Sequence, residues 1–142
     1  MFGSHCIKTY SQTQETIVLS SGESEFYGFV KAAAMGLGMK GLMEDLGVEV
    51  DVQVNTDSSA AKSITARKGA GRVRHIEVRE LWVQDQVAKG ELKIVTVNGE
   101  DNVADGLTKH VDKQKMEQYM KVCGMARASG RHERSPQLGH TV

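Results

Sequence analysis

The sequence predicts an α/β fold built around a parallel pair of strands. Val48, Val50, Val52 and Val54 alternate with Glu49, Asp51 and Gln53, the period of a strand with one buried face. Leu92, Ile94, Val95 and Val97 form a second apolar strand pattern. Two amphipathic helical stretches separate them, and a strand–helix–helix–strand order favours a parallel crossover.

The elements follow in chain order. Ile7 to Leu19 carries β-branched and hydroxyl residues in loose alternation and reads as a strand or two. Ser20 or Ser21 then caps a helix running to about Leu46, with Glu23 in its first turn, where the helix dipole favours an acid. Phe26, Phe29, Val30, Ala33 and Leu37 recur on one face. Interior Gly28, Gly36, Gly38 and Gly41 weaken that helix by roughly 1 kcal/mol each, so packing must hold it, and close approach to a sheet is one use for them. Gly47 is a stop signal. The valine strand follows and delivers Asp57. Ser58 and Ser59 open a short helix reaching about Arg67. Arg67 to Arg74 is basic and glycine-rich and reads as a loop. A helix from about His75 to Lys89 puts Val78, Leu81 and Trp82 on one face, and Gly90 ends it. After the second strand and a polar loop at Asn98-Gly99, Asp105 stands near new helical sequence. Met116, Tyr119, Met120 and Cys123 form a last apolar stripe. The residues from 126 to 142 are polar and aperiodic, the composition of a disordered tail.

Composition narrows the function classes. A chain of 142 residues suits one domain, and a formal net charge of zero does not mark a general nucleic-acid binder, though it permits a local basic patch. Cys6 and Cys123 lack metal-ligand spacing and read as reduced structural thiols before they read as a disulfide. No apolar run is long enough to span a bilayer and no secretory signal is present, so the expected location is intracellular, with nucleus and cytoplasmic particle not distinguished.

Three acids stand at the expected junctions of elements: Glu25, Asp57 and Asp105. Each has an ordinary reading. Asp57 can cap a helix, Glu25 can complement a helix dipole as Glu23 can, and Asp105 can be a surface aspartate. Gathered in space, the three would instead suit Mg²⁺, a hard ion that prefers oxygen ligands. Two such ions about 4 Å apart serve phosphodiester hydrolysis, one generating a nucleophilic water and the other offsetting charge on the leaving oxygen. Arg67, Lys68, Arg72, Arg74 and His75 form a basic run that is either a solvated loop or a contact for a nucleic-acid backbone. Trp82 fits core better than base stacking.

Four segments carry a resemblance. Leu19-Ser-Ser-Gly-Glu-Ser-Glu-Phe-Tyr, Asn55-Thr-Asp-Ser-Ser-Ala-Ala, Arg74-His-Ile-Glu-Val-Arg and Asn102-Val-Ala-Asp-Gly-Leu-Thr-Lys resemble, in order, motifs of the ribonuclease H domain of copia-type retrotransposon polyproteins. The likeness covers roughly residues 8 to 125. It implies an RNase H-like mixed sheet flanked by helices, and hydrolysis of the RNA strand of RNA–DNA hybrids assisted by Mg²⁺ or Mn²⁺. By position it implies that Glu25 rather than Glu23, with Asp57 and Asp105, are catalytic and metal-binding. Ser20, Ser21, Ser58, Ser59, Arg72, Arg74 and His75 are the implied contacts to the hybrid, where a ribose 2′-hydroxyl distinguishes RNA from DNA. An upstream reverse transcriptase segment of the same polyprotein is the implied partner.

The family pattern opens with two strands, the first bearing a fourth catalytic carboxylate. No acid precedes Glu15 here, so the expectation is a partial domain over residues 1–125 that lacks those two strands. Such a chain would have weak activity or none. It would also leave one edge of the valine strand open, a geometry that invites self-association. Two other readings stand beside it: a non-catalytic binding or assembly module that keeps the fold remnant, and an integrase- or transposase-like core, which the Ser-Glu-Phe and Arg-His-Ile-Glu segments fit poorly.

Overall fold

A computed structural model describes residues 1–14, 17–69 and 78–126. They form two compact units: Gln12–Asn102, and Met1–Ser11 together with the chain from Val103. The residues from 127 on, expected to be disordered, lie outside the described residues.

The larger unit is organised by α1 (Ser21–Asp45). Its face of Phe26, Phe29, Val30 and Ala33 is buried in the core, with Leu37 half-buried beside it. This is the face the apolar spacing predicts. Each large side chain so buried contributes about 1.5–3 kcal/mol, enough to offset the interior glycines. One glycine has a packing reason. A Cβ on Gly36 would stand 2.6 Å from Val52 Cγ1, so the helix meets the sheet at a distance only glycine permits. The predicted close approach to a sheet is thus made at Gly36, whereas Gly28, Gly38 and Gly41 face open space.

The valine strand is shorter than its alternation predicts. β1 spans Val52–Thr56, with Val52, Val54 and Thr56 turned inward and Gln53 and Asn55 outward. Val48 is taken by the end of α1: its N–H donates to Met43 O at 2.9 Å, and Gly47 N–H to Glu44 O at 2.9 Å. This helix stop places Gly47 at φ +77, a conformation other residues adopt only with strain. The chain therefore reaches strand geometry two turns of the alternation late.

The crossover consists of α2 (Ser59–Thr65), residues 66–77, a 3₁₀ turn at Val78–Leu81 and α3 (Trp82–Ala88). It returns to β2 (Leu92–Thr96), which pairs with β1 in parallel from Val52↔Leu92 to Thr56↔Thr96. The α/β order and the parallel pair match the sequence reading. Val97 N–H extends the ladder to Thr56 O at 3.0 Å. Ala61, Ile64, Val83 and Leu92 complete the core, with Leu81 and Trp82 packed against it. Buried Gln84 closes the loop that leaves α2: its Nε2 donates to Ile64 O at 2.7 Å and Gly69 O at 3.0 Å, and its Oε1 accepts from Gly69 N–H at 2.7 Å.

The strand expected within Ile7 to Leu19 does not form among the described residues. An isolated strand has no ladder to satisfy its backbone. Two of its side chains contact α1 instead: Gln14 Oε1 accepts from Ser24 Oγ at 2.7 Å, and Gln12 Oε1 accepts from Lys31 Nζ.

The smaller unit contains a reverse turn closed by Phe2 and His5, a 3₁₀ helix at Val103–Leu107, and α4 (Lys113–Val122), capped by Asp112. Tyr119 is its buried anchor. Met116, Met120 and Cys123 of the predicted stripe line an apolar cavity of about 370 Å³ beside it.

The glycine geometry sorts three substitutions. Gly36→Ala gains about 1 kcal/mol of helix propensity but overpacks Val52 at a cost of about 1–3 kcal/mol. Urea unfolding is expected to show it neutral to destabilised, while Gly28→Ala and Gly38→Ala each stabilise by roughly 0.5–1 kcal/mol. A Gly36→Ala gain equal to theirs would contradict the close contact.

Candidate functional site

The candidate residues of the larger unit collect at one end of it. β1 and β2 run in parallel, so their carboxyl ends lie side by side, the end of an α/β sheet where functional groups gather. Asp57 follows β1 directly and is exposed. Its Oδ2 lies 3.6 Å from where a side chain on Gly99 would begin, so the loop after β2 borders it. Asn98-Gly99, read from the sequence only as a polar loop, gains that role from the parallel register.

Asp57 does not cap the helix that follows. Ser58 does, its Oγ accepting from Ala61 N–H at 3.1 Å, while Ser58 N–H donates to Thr56 Oγ1 at 3.1 Å. The capping alternative for Asp57 is thereby removed, and its carboxylate faces solvent.

The two acids at the start of α1 have different duties. Ser20 caps the helix, accepting from Glu23 N–H at 3.2 Å, and Glu23 Oε2 accepts in return from Leu19 N–H at 2.9 Å. Glu23 is only 6% exposed. This arrangement is a variant of the capping box, with Glu23 taking the N–H one residue before the cap, and both side chains satisfy backbone donors at the helix start. The Ser-x-x-Glu spacing is its sequence signal. Glu25 is exposed and has no part in that box.

A second glycine contact aligns these groups. A Cβ on Gly22 would stand 3.0 Å from Ala60 Cβ, so the first turn of α1 rests on the first turn of α2. Glu25 lies three residues past Gly22 and Asp57 three before Ala60, which puts both acids at this end of the unit. Ser20 and Ser21 stand at the start of α1, Ser58 and Ser59 at the start of α2. The Ser20 and Ser58 oxygens accept backbone N–H groups, and each hydroxyl hydrogen can still donate to an oxygen-bearing ligand.

Asp105 belongs to the smaller unit. It sits in the 3₁₀ helix, and its Oδ2 pairs with Lys109 Nζ at 2.8 Å. Lys109 would have to yield to any cation at that carboxylate. Within neither unit, among the described residues, do three or more His, Cys, Asp or Glu side chains gather to hold a metal ion. The donors themselves are hard oxygens suited to Mg²⁺ or Mn²⁺. Of the basic run, Arg67 is half-buried and Lys68 exposed, on the loop that Gln84 pins. Arg72, Arg74 and His75 lie outside the described residues. Nothing in the sequence marked Gln84, a polar residue within an apolar helical stretch. Among the described residues, no helix is long and apolar enough to cross a membrane.

The chain is similar to retrovirus-related Pol polyproteins of plant transposons. It is 28% identical over 126 residues to that of transposon TNT 1-94 of Nicotiana tabacum, covering 87% of this chain and 10% of the relative. It is 26% identical over 128 residues to that of transposon RE1 of Arabidopsis thaliana, covering 88% and 9%. To that of transposon RE2 of the same plant it is 25% identical over 126 residues, covering 87% and 9%. The chain thus spans about a tenth of the length of these relatives. No family model and no solved structure matches it. The homology supports a retroelement-derived domain of Pol polyprotein origin.

The division between Glu23 and Glu25 is open to test. Glu23→Ala removes an acceptor from a helix start and is expected to cost about 1 kcal/mol of stability in thermal or urea unfolding. Glu25→Gln is expected to leave stability within about 0.5 kcal/mol. Equal losses would show that Glu25 too is structural.

Proposed function

We propose that this chain is a segment of a retroelement-derived ribonuclease H domain, whose reaction is metal-assisted hydrolysis of the RNA strand of an RNA–DNA hybrid. Glu25, Asp57 and Asp105 are its catalytic carboxylates. The observation that carries this reading is Asp57: an exposed carboxylate at the carboxyl end of a parallel strand, relieved of capping duty by Ser58 and bordered by Gly99. The similarity to transposon Pol polyproteins over most of the chain supports it from the sequence side.

Glu25 and Asp57 in the larger unit, and Asp105 in the smaller, are the groups proposed to bind Mg²⁺ or Mn²⁺, which when bound would supply an activated water and offset charge on the leaving oxygen. The chain's own residues bind and orient the hybrid. The Ser20, Ser21, Ser58 and Ser59 hydroxyls offer donors at the two helix starts, and the basic run with Arg72, Arg74 and His75 supplies sequence-independent backbone attraction. An RNA–DNA hybrid is the proposed substrate, and a reverse transcriptase segment of the same polyprotein the proposed partner.

A second reading has its own support. Asp105 is paired with Lys109, and no three acids gather within a unit among the described residues. A module that binds a hybrid without cleaving it would need neither change.

A hybrid-cleavage assay in Mg²⁺ and in Mn²⁺, with hybrid binding measured alongside, separates the two. Cleavage is expected to be weak, because Asp105 is already paired with Lys109. It is expected to fall at least tenfold in both Asp57→Asn and Glu25→Gln while binding stays within about twofold. Cleavage that persists in Asp57→Asn would overturn the assignment. Binding with no metal-dependent cleavage would select the second reading. Robust cleavage lost in Asp57→Asn would show that the Lys109 pairing does not hold Asp105 back.

A further inference from the structure

Sequence alone reads Cys6 and Cys123 as separate reduced thiols, 117 positions apart. The smaller unit brings them together. Cys6 N–H donates to Cys123 O at 3.2 Å. A direct backbone hydrogen bond sets the two residues side by side on adjacent segments, and a disulfide spans only roughly 4.4–6.8 Å between Cα atoms. Both cysteines are half-buried free thiols, and both line the apolar cavity beside Tyr119.

Two features hold them there. Phe2 and His5 close a reverse turn through Phe2 N–H to His5 O at 2.8 Å and His5 N–H to Phe2 O at 3.0 Å, which presents Cys6. Gly124 follows Cys123 at φ +67, and a Cβ there would stand 2.8 Å from Ser4 O. Only glycine both adopts that backbone and lets residues 4–6 lie against the end of α4. The thiols also sense each other. Burial first, then the charge and hydrogen bonding of the Cys6 thiol, push the Cys123 thiol above its ordinary value, against a smaller opposing pull from the N-terminal amine.

We propose that Cys6 and Cys123 are a reversible redox pair that closes an intramolecular disulfide by exchange with a small disulfide such as oxidised glutathione. One cysteine loses its proton to solvent, and the thiolate attacks a sulfur of the small disulfide. That S–S bond breaks, a mixed disulfide forms, and one glutathione thiolate leaves. The second cysteine, likewise deprotonated, attacks the protein sulfur of the mixed disulfide and releases the second glutathione thiolate. Two protein thiols are oxidised by two electrons and one glutathione disulfide is reduced to two thiols, each thiolate recovering a proton. The new bond ties the Met1–Ser11 segment to α4. Ala104 and Gly106, which flank Asp105, line the same cavity, so the bond stiffens the frame around that carboxylate. The pairing stands on this geometry and not on the nuclease reading.

The full chain is equilibrated in buffers of varied glutathione redox ratio, then alkylated and mapped by mass spectrometry without reduction. The expected product is a monomer lacking two hydrogens, with a Cys6–Cys123 cross-linked peptide that dithiothreitol reverses. Cys6→Ser and Cys123→Ser should each leave one thiol that accumulates a glutathione adduct. The wild-type map decides the matter even if a variant folds poorly. Two separate glutathione adducts, an intermolecular dimer, or two thiols still alkylatable in the most oxidising buffer would each overturn the pairing.

Discussion

The larger unit depends on how closely α1 can approach its neighbours. At Gly36 the helix meets Val52 at a distance a side chain would prevent, and at Gly22 it meets Ala60 at one a side chain would crowd. The first contact seats the helix on the sheet and lets Phe26, Phe29, Val30 and Ala33 reach the core. The second fixes where the helix begins relative to the carboxyl end of β1. A helix with four interior glycines would be marginal alone. Packed this way it becomes the support on which Glu25 stands.

That support explains a division of labour among neighbouring polar groups. Ser20 and Glu23 are occupied by the start of α1, and Ser58 by the start of α2. With the helix starts satisfied by these groups, Glu25 and Asp57 are left exposed at the same end of the unit. Glu25 on α1, and Asp57 held between the end of β1 and the capped start of α2, lose little conformational freedom when they bind a ligand, which suits a cation or a phosphodiester backbone. The smaller unit holds Asp105 differently, through an ion pair with Lys109 and beside an apolar cavity that two thiols help to line.

Much of this was legible in the residues. The spacing of Phe26 to Ala33 identified the buried face because burial selects for helical period. The parallel pair followed from the order of elements. Gly47 and Gly90 marked helix ends because the stop needs a left-handed residue. The valine alternation overstated β1, since Val48 has an equal chemical claim on a strand and on the helix stop, and the backbone bond to Met43 decides it. The strand expected from Ile7 failed because local pattern carries no information about a partner. Gln84 and the Cys6–Cys123 proximity were illegible for a different reason: both are long-range contacts that no local period encodes. For the site, residue type and motif order singled out Glu25 and Asp57, but only the cap at Ser58 relieved Asp57 of its ordinary duty.

The proposed function requires that Glu25 and Asp57 act together as one cation-binding end. The most direct measurement is paramagnetic broadening of backbone amide NMR signals during Mn²⁺ titration of the ¹⁵N-labelled chain. The account predicts that amides around Glu25 and around Asp57 broaden together at the same Mn²⁺ concentrations, and that Asp57→Asn removes both effects. Broadening at one acid without the other, or confined to surface carboxylates such as Asp51 and Glu91, would contradict it.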